Sequence, residues 1–375
     1  MAASRRPRTL RPASYNALWV ENMVTTRWAH KAVEQLFAGV SVLDRGALPP
    51  SRRIRERLLR TTGKGWLSIV SGDAAIGSSG DLVTSLTQSM DRKLALGFFG
   101  ADVAAGETLA PDSPWTRLLT WAAFVGARGP ESAARLSAVG LQDVAVIGDP
   151  LLALGHSLGG KRPNTVGVSI RADGPDVSPW VEALLATGAR VMLWPLSEPD
   201  LARSRQLART LNCAVFEGYA SFYETIRWLG GLRHVFAQRS AALVLAHACE
   251  TPGTPIFIDD AIQDHCGAVG LAPEVPAPDT VGDVMTDYDL ASVSAAVDTL
   301  RTRQRLAAQR LMARVRMRSG RVRDLRPHAR VKVPRDRGAP GPIFIVGMPR
   351  SGTTVLTRLF GSHSTLAMGP ETHFL

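Results

Sequence analysis

The chain has 375 residues, of which 45% are hydrophobic and 21% are charged, a balance typical of a globular protein of about two domains with additional segments. It has no run of eighteen apolar residues, which argues against a membrane-spanning helix. Its arginine-rich N-terminus is followed by no apolar segment, which argues against a secretory signal. Cys213, Cys249 and Cys266 match neither a zinc site nor a disulfide framework, so we expect reduced thiols, no metal site and a cytoplasmic location.

Short apolar runs alternate with amphipathic segments between residues 60 and 290, a pattern that predicts parallel sheets covered by helices on both faces. The predicted strands are Trp66–Val70, Leu94–Phe99, Ala122–Val125, Val144–Ile147, Val166–Ile170, Val191–Leu193, Ala214–Phe216, His234–Phe236 and Pro255–Ile258. The predicted helices include Pro130–Val139, Pro179–Thr187, Pro199–Leu211, Phe222–Leu229 and Ser240–Cys249.

A segment rich in Gly, Ser, Lys and Pro, residues 155–164, divides this series in two. We therefore predict an α/β protein with two Rossmann-like lobes, 1–155 and 163–290, in a GT-B-like arrangement. Ligands of such folds bind at the carboxyl ends of the strands, which here would face the cleft between the lobes.

Two short turns flank the first predicted helix, Arg128-Gly-Pro130 before it and Gly148-Asp-Pro150 after it. Together with the strand Val166–Arg171 and the segment from Arg239 to Pro255, they resemble the polysaccharide pyruvyl transferase family over about residues 15–270. The resemblance implies transfer of pyruvyl from phosphoenolpyruvate to two hydroxyls of a sugar in a glycan precursor. It also implies that Arg171 and Arg239 bind the donor, as arginines suit a ligand with both carboxylate and phosphate.

One position departs from the family pattern. Ala241 stands where the family has its functional histidine, and alanine cannot transfer a proton. His247 lies six residues further, about 240° around a helix, so we expect a packed core histidine there. Near-background turnover of phosphoenolpyruvate is therefore expected, with donor binding retained.

The net charge of +11 is concentrated in residues 301–337, which contain fourteen Lys or Arg and two Asp. We predict a long helix over 289–326 with a partial apolar stripe at Leu300, Leu306, Leu311 and Val315, followed by a linker to residue 341. The arginines favour a helix solvated between two domains. An anionic membrane surface is the alternative partner, which would place the protein at the inner face of a membrane, and no specific nucleic acid is expected.

The segment 342–375 begins with an apolar strand and a Gly-Met-Pro-Arg-Ser-Gly-Thr-Thr turn before an amphipathic helix. Glycines and converging amides make such a turn an anion cradle. It resembles the phosphosulfate loop of sulfotransferases that use 3′-phosphoadenylyl sulfate, and the resemblance implies that Glu371 is the general base. The residues it assigns to the phosphosulfate are Arg350, Ser351, Gly352, Thr353 and Thr354.

A complete sulfotransferase needs about 200 residues or more, so we expect this segment to be the first β-α unit of a truncated domain. Three functions stay open. The chain is a divergent pyruvyl-transferase-like glycan-modifying enzyme fused to this unit, an inactive glycan- or partner-binding module, or a truncated sulfotransferase. The acceptor sugar and the oligomeric state are not predicted.

Overall fold

The computed structural model describes residues 13–15, 28, 31–33, 35–37, 42–44, 67–71, 75–76, 95–103, 109–110, 113–155 and 164–318, with the backbone alone described at 13–15, 42–44, 67–68, 75, 95 and 314–318. The chain divides into two units, Met1–Val322 and Arg323–Leu375, and everything described belongs to the first. Within this unit the described strands form two parallel sheets.

The first sheet contains seven strands, all paired in parallel in the order β2-β1-β3-β5-β6-β7, with β4 beside β5. Helices α1 (Pro114–Trp121) and α2 (Pro130–Ala138) pack with it. The strands are β1 (Ala13–Tyr15), β2 (Val42–Asp44), β3 (Leu67–Ser71), β4 (Ala75–Ile76), β5 (Ala95–Val103), β6 (Phe124–Ala127) and β7 (Ala145–Val146).

The second sheet contains five parallel strands in the order β10-β9-β8-β11-β12. They are β8 (Thr165–Ser169), β9 (Arg190–Trp194), β10 (Ala214–Val215), β11 (His234–Ala237) and β12 (Gly253–Pro255). The helices of this lobe are α3 (Ser178–Ala186), α4 (Glu198–Leu211), α5 (Phe222–Leu229), α6 (Ser240–Ala248), α7 (Asp260–Val269) and α8 (Val281–Asp287). All five residues of β8 are buried, as expected for a central strand with helices on both faces.

The alternation of strands and helices confirms the predicted α/β class and the two-lobed arrangement. Most predicted strands and helices agree with the structure within two residues at either end. The last predicted strand, Pro255–Ile258, is displaced, because β12 begins at Gly253. The backbone N–H of Val235 in β11 donates to the carbonyl of Pro252 at 2.8 Å. The ladder with β11 therefore starts before the apolar run that marked the strand in the sequence.

The basic helix α9, Leu290–Arg318, is packed against both lobes along most of its described length. The prediction that it is a solvated linker is therefore wrong for this stretch. Its inner face buries Val293, Val297, Leu300, Gln304, Ala307, Ala308 and Leu311, spaced three or four residues apart. Leu306, predicted to belong to the apolar stripe, is instead 46% exposed. Among the described residues no helix is both long and apolar enough to cross a membrane.

Two polar side chains of α9 attach it to neighbouring turns by donating to backbone carbonyls. The guanidinium of Arg301 donates to the carbonyls of Leu152, Gly155 and Ala248 at 2.9, 3.1 and 2.6 Å. The buried amide of Gln304 donates to the carbonyls of Ile147 and Asp149. Arg301 therefore satisfies backbone groups of both lobes, a role that a net-charge count does not reveal.

Replacement of Leu311 by Ala tests the packed helix. Leu311 is fully buried against the first lobe, so Leu311→Ala should lower the free energy of unfolding by about 2–5 kcal/mol. Leu306→Ala, five residues away on the exposed face, is the matched control and should stay within about 0.5 kcal/mol. Urea unfolding followed by circular dichroism measures both, and equal effects would contradict the packing of α9.

Candidate functional site

The carboxyl ends of β8 and β11 lie side by side, because these strands are parallel neighbours in the second sheet. Arg171 follows β8 by two residues, and Arg239 follows β11 by two residues. The sequence therefore places both predicted donor-binding arginines on the edge where ligands of such folds bind. Arg239 pairs with a buried carboxylate, and Arg171 pairs with more accessible ones.

Arg239 is held by a buried carboxylate. Its Nε and Nη2 donate to the two oxygens of Asp200 at 2.8 and 2.7 Å, and Asp200 is completely buried. The same carboxylate accepts the backbone N–H groups of Ala172 at 2.8 Å and Leu196 at 3.3 Å. A bidentate pair with two further amide donors is a structural clamp, because each group neutralises the charge of the other inside the fold.

Arg171 has more accessible partners. Its Nη1 donates to Oδ2 of Asp259 at 3.0 Å, and its Nε and Nη2 contact Asp173 at 3.2 and 3.0 Å. The side chain of Asp173 is 70% exposed. Its hydrogen bond to Arg171 lowers the pKa of the Asp173 carboxyl and raises the pKa of Arg171. An exposed ion pair of this kind contributes little stability, about 0–1 kcal/mol.

The loop that carries Arg171 is fixed by Arg203 of α4 and by Gln238, which follows β11. Nη1 of Arg203 donates to the carbonyls of Arg171 and Gly174 at 2.5 and 2.6 Å, and Nη2 donates to that of Pro175 at 2.7 Å. Oε1 of Gln238 accepts the N–H of Arg171 at 2.9 Å, and its Nε2 donates to the carbonyl of Pro175. Residues 171–175 therefore present Arg171 from a preorganised backbone.

The first lobe contributes a buried arginine to the same region. Arg128 directly follows β6 and is 1% exposed. Its Nη1 lies 3.0 Å from Oδ2 of Asp102, and its Nε lies 3.5 Å from Oδ2 of Asp149. Asp149 also accepts the N–H of Leu151 and so caps the 3₁₀ turn Pro150–Leu154. The Arg-Gly-Pro and Gly-Asp-Pro turns are thus joined by an ion pair, which gives both motifs a structural explanation.

The two lobes meet where α7 packs against the start of α2. Oδ1 of Asp264 in α7 accepts the N–H groups of Glu131 and Ser132 at 2.8 and 3.2 Å, which are free amides of the first turn of α2. A Cβ atom on Gly129 would lie 2.1 Å from the carbonyl oxygen of Asp264, so only glycine permits this approach. Burial raises the pKa of the Asp264 carboxyl.

Asp259 lies between the charged groups of both lobes. Its Oδ1 caps α7 by accepting the N–H of Ile262 at 2.9 Å, and its Oδ2 holds Arg171. Burial raises the pKa of Asp259, and the charges of Arg171 and Arg128 oppose this rise. The acidic and basic groups of this region are therefore engaged in ion pairs with one another.

The position that the resemblance to pyruvyl transferases aligns with a histidine is buried. Ala241 is 2% exposed in α6, where it packs in the core of the second lobe. His247 is 1% exposed, which confirms the prediction of a packed core histidine. Its Nδ1 lies 2.9 Å from Nε2 of His265, and its Nε2 lies 2.8 Å from the hydroxyl of Tyr288 and 3.2 Å from the carbonyl of Gly253.

Sequence reasoning missed the carboxylates that define this edge, Asp200, Asp259 and Asp264, as well as Arg203 and Gln238. The available signal was positional, because Gln238 and Asp259 follow strand ends and Asp200 and Arg203 lie in the first turns of α4. The predicted phosphosulfate residues and Glu371 lie outside the described residues. The predicted roles of Arg171 and Arg239 stay predictions.

The structure is similar to S. aureus MnaA solved with UDP, at 10% identity and a TM-score of 0.53, covering 83% of this chain and 97% of the other. It is similar to a putative UDP-N-acetylglucosamine 2-epimerase from Listeria monocytogenes, at 11% identity and a TM-score of 0.54, covering 82% and 97%. It is also similar to the UDP-N-acetylglucosamine 2-epimerase from Rickettsia bellii, at 10% identity and a TM-score of 0.50, covering 84% of this chain and 99% of the other.

These similarities show a GT-B fold and no more, because the identities are low. A family model described as the sulfotransferase family matches residues 342–375, in agreement with the resemblance of that segment. No curated protein sequence matches the chain. The solved structures named above are an epimerase, a putative epimerase and MnaA, so the resemblance to pyruvyl transferases stays a prediction.

Exchange of one carboxylate partner of Arg239 and one of Arg171 tests the clamp. Asp200→Asn leaves the mostly buried guanidinium of Arg239 without its counter-charge and should lower the free energy of unfolding by about 3–5 kcal/mol. Asp173→Asn removes the exposed partner of Arg171 and should change it by less than about 1 kcal/mol. Thermal and urea unfolding distinguish the two. A harmless Asp200→Asn would remove the structural assignment of Arg239.

The buried histidines predict a pH dependence of stability. Burial lowers the pKa of His234 to about 3 and that of His247 to about 4. Below about pH 6.5 the unfolded chain binds protons at these rings while the folded chain keeps them neutral. The free energy of unfolding should therefore fall as the pH decreases from 6.5 towards 4, by up to about 1.4 kcal/mol per pH unit and histidine. Urea unfolding should show a shallower dependence for His247→Gln, and an unchanged slope would contradict this origin.

Proposed function

We propose that the protein is a glycan-modifying transferase that binds a phosphorylated donor at the carboxyl edge of the second sheet, with Arg171 as the main cationic contact. The observation that carries the proposal is the environment of Arg171. It extends from a loop that Arg203 and Gln238 hold at the carboxyl end of β8, and one of its two carboxylate partners, Asp173, is largely exposed. A donor phosphate or carboxylate would take the place of Asp173, with the planar fork of the guanidinium as a bidentate partner.

Arg239 has a different place in this proposal. Two of its nitrogens are engaged by Asp200, and the same carboxylate holds the backbone of Ala172 beside Arg171. We assign Arg239 as a positioning residue that keeps the loop of Arg171 in register. Its remaining N–H groups leave room for a weaker donor contact.

The donor is phosphoenolpyruvate if the resemblance to pyruvyl transferases extends to chemistry, and the acceptor is then a sugar of a glycan precursor. A nucleotide-linked sugar is the second candidate, because the GT-B fold is shared with MnaA solved with UDP and with UDP-N-acetylglucosamine 2-epimerases. Both donors carry phosphate, and both suit Arg171. Calorimetry with phosphoenolpyruvate, UDP and UDP-N-acetylglucosamine distinguishes them, and no binding of any would overturn the proposal.

Pyruvyl transfer itself should be slow. Ala241 cannot donate a proton, and loss of a positioned general acid typically lowers a rate by about 10²- to 10⁴-fold. Turnover of phosphoenolpyruvate should therefore be near background although binding persists, which is also what an inactive binding module would show. Ala241→His is a poor rescue because the position is buried, and a ring there would overpack α6. Robust pyruvyl transfer by the unmodified chain would contradict this expectation.

Paired substitutions at one ion pair test the donor contact directly. Arg171→Met should weaken donor binding by about 10- to 100-fold, the effect of losing charge-assisted hydrogen bonds. Asp173→Asn should tighten binding, because it removes the carboxylate that competes with the donor. These opposite signs are measured by calorimetry on variants that keep the wild-type fold.

The matched control for Arg171 is Arg205. It forms an equally bidentate pair with Glu217 at 2.9–3.2 Å, but both side chains are more than half exposed on α4 and the segment after β10. Arg205→Met should leave donor affinity unchanged. If Arg205→Met and Arg171→Met weaken binding equally, the effect is one of overall charge and the assigned contact is wrong.

Sulfate transfer is the alternative function, favoured by the family match at residues 342–375. In that case Arg350, Ser351, Gly352, Thr353 and Thr354 would hold the phosphosulfate of 3′-phosphoadenylyl sulfate, with Glu371 as general base. Arg350→Ala should then abolish binding of this donor and leave binding of phosphoenolpyruvate or UDP intact. Sulfate donor binding that survives Arg350→Ala would exclude the loop as its site.

A further inference from the structure

Helix α9 has two faces of different character. The inner face packs against both lobes, and Arg301 on its border is engaged by three backbone carbonyls. The outer face, defined here as Arg303, Arg305, Leu306 and Arg310, is exposed. Since the inner face holds the helix rigidly, the outer face is a fixed surface and not a mobile tail.

The outer face is cationic without local compensation. Within the described part of the chain, no carboxylate forms an ion pair with Arg303, Arg305 or Arg310, although Arg303 also donates to the carbonyl of Val146 at 3.1 Å. The sequence has no Asp or Glu between Asp298 and Asp324. Leu306 lies among these arginines and is 46% exposed. A fixed cationic surface with one exposed apolar side chain suits electrostatic attraction to anionic headgroups with shallow insertion of Leu306.

We propose that the outer face of α9 docks the protein on an anionic lipid bilayer, with the helix parallel to the surface. The arginines would contact anionic headgroups, and Leu306 would enter the boundary between headgroups and acyl chains. Because the inner face is buried against both lobes, docking needs no rearrangement of the helix. This assignment is independent of the donor that the cleft binds.

A nucleic acid is the other polyanion that a basic helix could bind, and the residues favour the bilayer. Single-stranded nucleic acids are held largely by bases stacked on aromatic side chains, whereas no Phe, Trp or Tyr occurs between Tyr288 and Phe344. Exposed Leu306 also has no use against a phosphate backbone, but it gains free energy by leaving water in a membrane interface.

The test uses the full chain and vesicles of phosphatidylcholine with or without phosphatidylglycerol. The protein should sediment with the anionic vesicles and not with pure phosphatidylcholine, and salt should weaken binding. Replacing Arg303, Arg305 and Arg310 together by Gln should weaken it by about fivefold per arginine, on the order of 100-fold in all.

A charge-matched control replaces Arg190, Arg209 and Arg227, which are exposed elsewhere on the second lobe, by Gln. It removes the same net charge and should retain most of the vesicle affinity. Equal losses in the two triple variants would overturn the assignment of the outer face, as would undiminished binding by the first.

Leu306→Ala separates a bilayer from a nucleic acid. It should weaken vesicle binding by roughly tenfold and leave the binding of a duplex DNA oligonucleotide unchanged. The same variant barely changes stability if the helix packs as described, so misfolding does not obscure the result. If DNA binds more tightly than anionic vesicles and Leu306→Ala affects neither, the proposal is wrong.

Discussion

The buried guanidinium of Arg128 is the charge on which the junction of the two lobes depends. A cation removed from water must be neutralised by fixed carboxylates, so Asp102 and Asp149 have to lie on either side of it. These two ion pairs hold the end of β5 and the turn before Pro150 on either side of Arg128, which lies two residues before the start of α2. Asp264 of the other lobe accepts the N–H groups of the first turn of α2 and so caps this helix across the junction of the two lobes.

The same rule shapes the second lobe. Asp200 is fully buried and accepts two backbone amides in addition to Arg239, so a single carboxylate fixes both the loop after β8 and the turn after β9. Arg203 and Gln238 complete the loop through its carbonyls and its amide. Arg171 therefore differs from Arg239 in its partner. Arg171 pairs with the exposed Asp173, whereas Arg239 pairs with the buried Asp200.

The sequence predicts the sheets well because a central parallel strand is read from one continuous apolar run, as in β8, without knowledge of its neighbours. The clamp of Asp200 could not be predicted in this way, because its partners are distant in the sequence. Ala172 lies 28 residues before Asp200, and Arg239 lies 39 residues after it. Helix α9 was misjudged for a related reason. Its arginines dominate the net charge and the mean hydropathy of the segment, whereas burial depends on the seven apolar or amide side chains of one face. Arg301 also acts through hydrogen bonds to backbone carbonyls rather than through an ion pair with the lobes.

The short motifs that suggest a pyruvyl transferase are now explained by architecture. Gly129 is required by the close approach of Asp264, and Arg128 and Asp149 neutralise each other in the interior. In this protein the two turns therefore have a structural role at the junction of the two lobes. Neither Arg171 nor Ala241, on which the proposed donor binding and the expected slow pyruvyl transfer rest, belongs to these turns. Similarity in the turns is therefore similarity in structural residues, and it does not identify a donor.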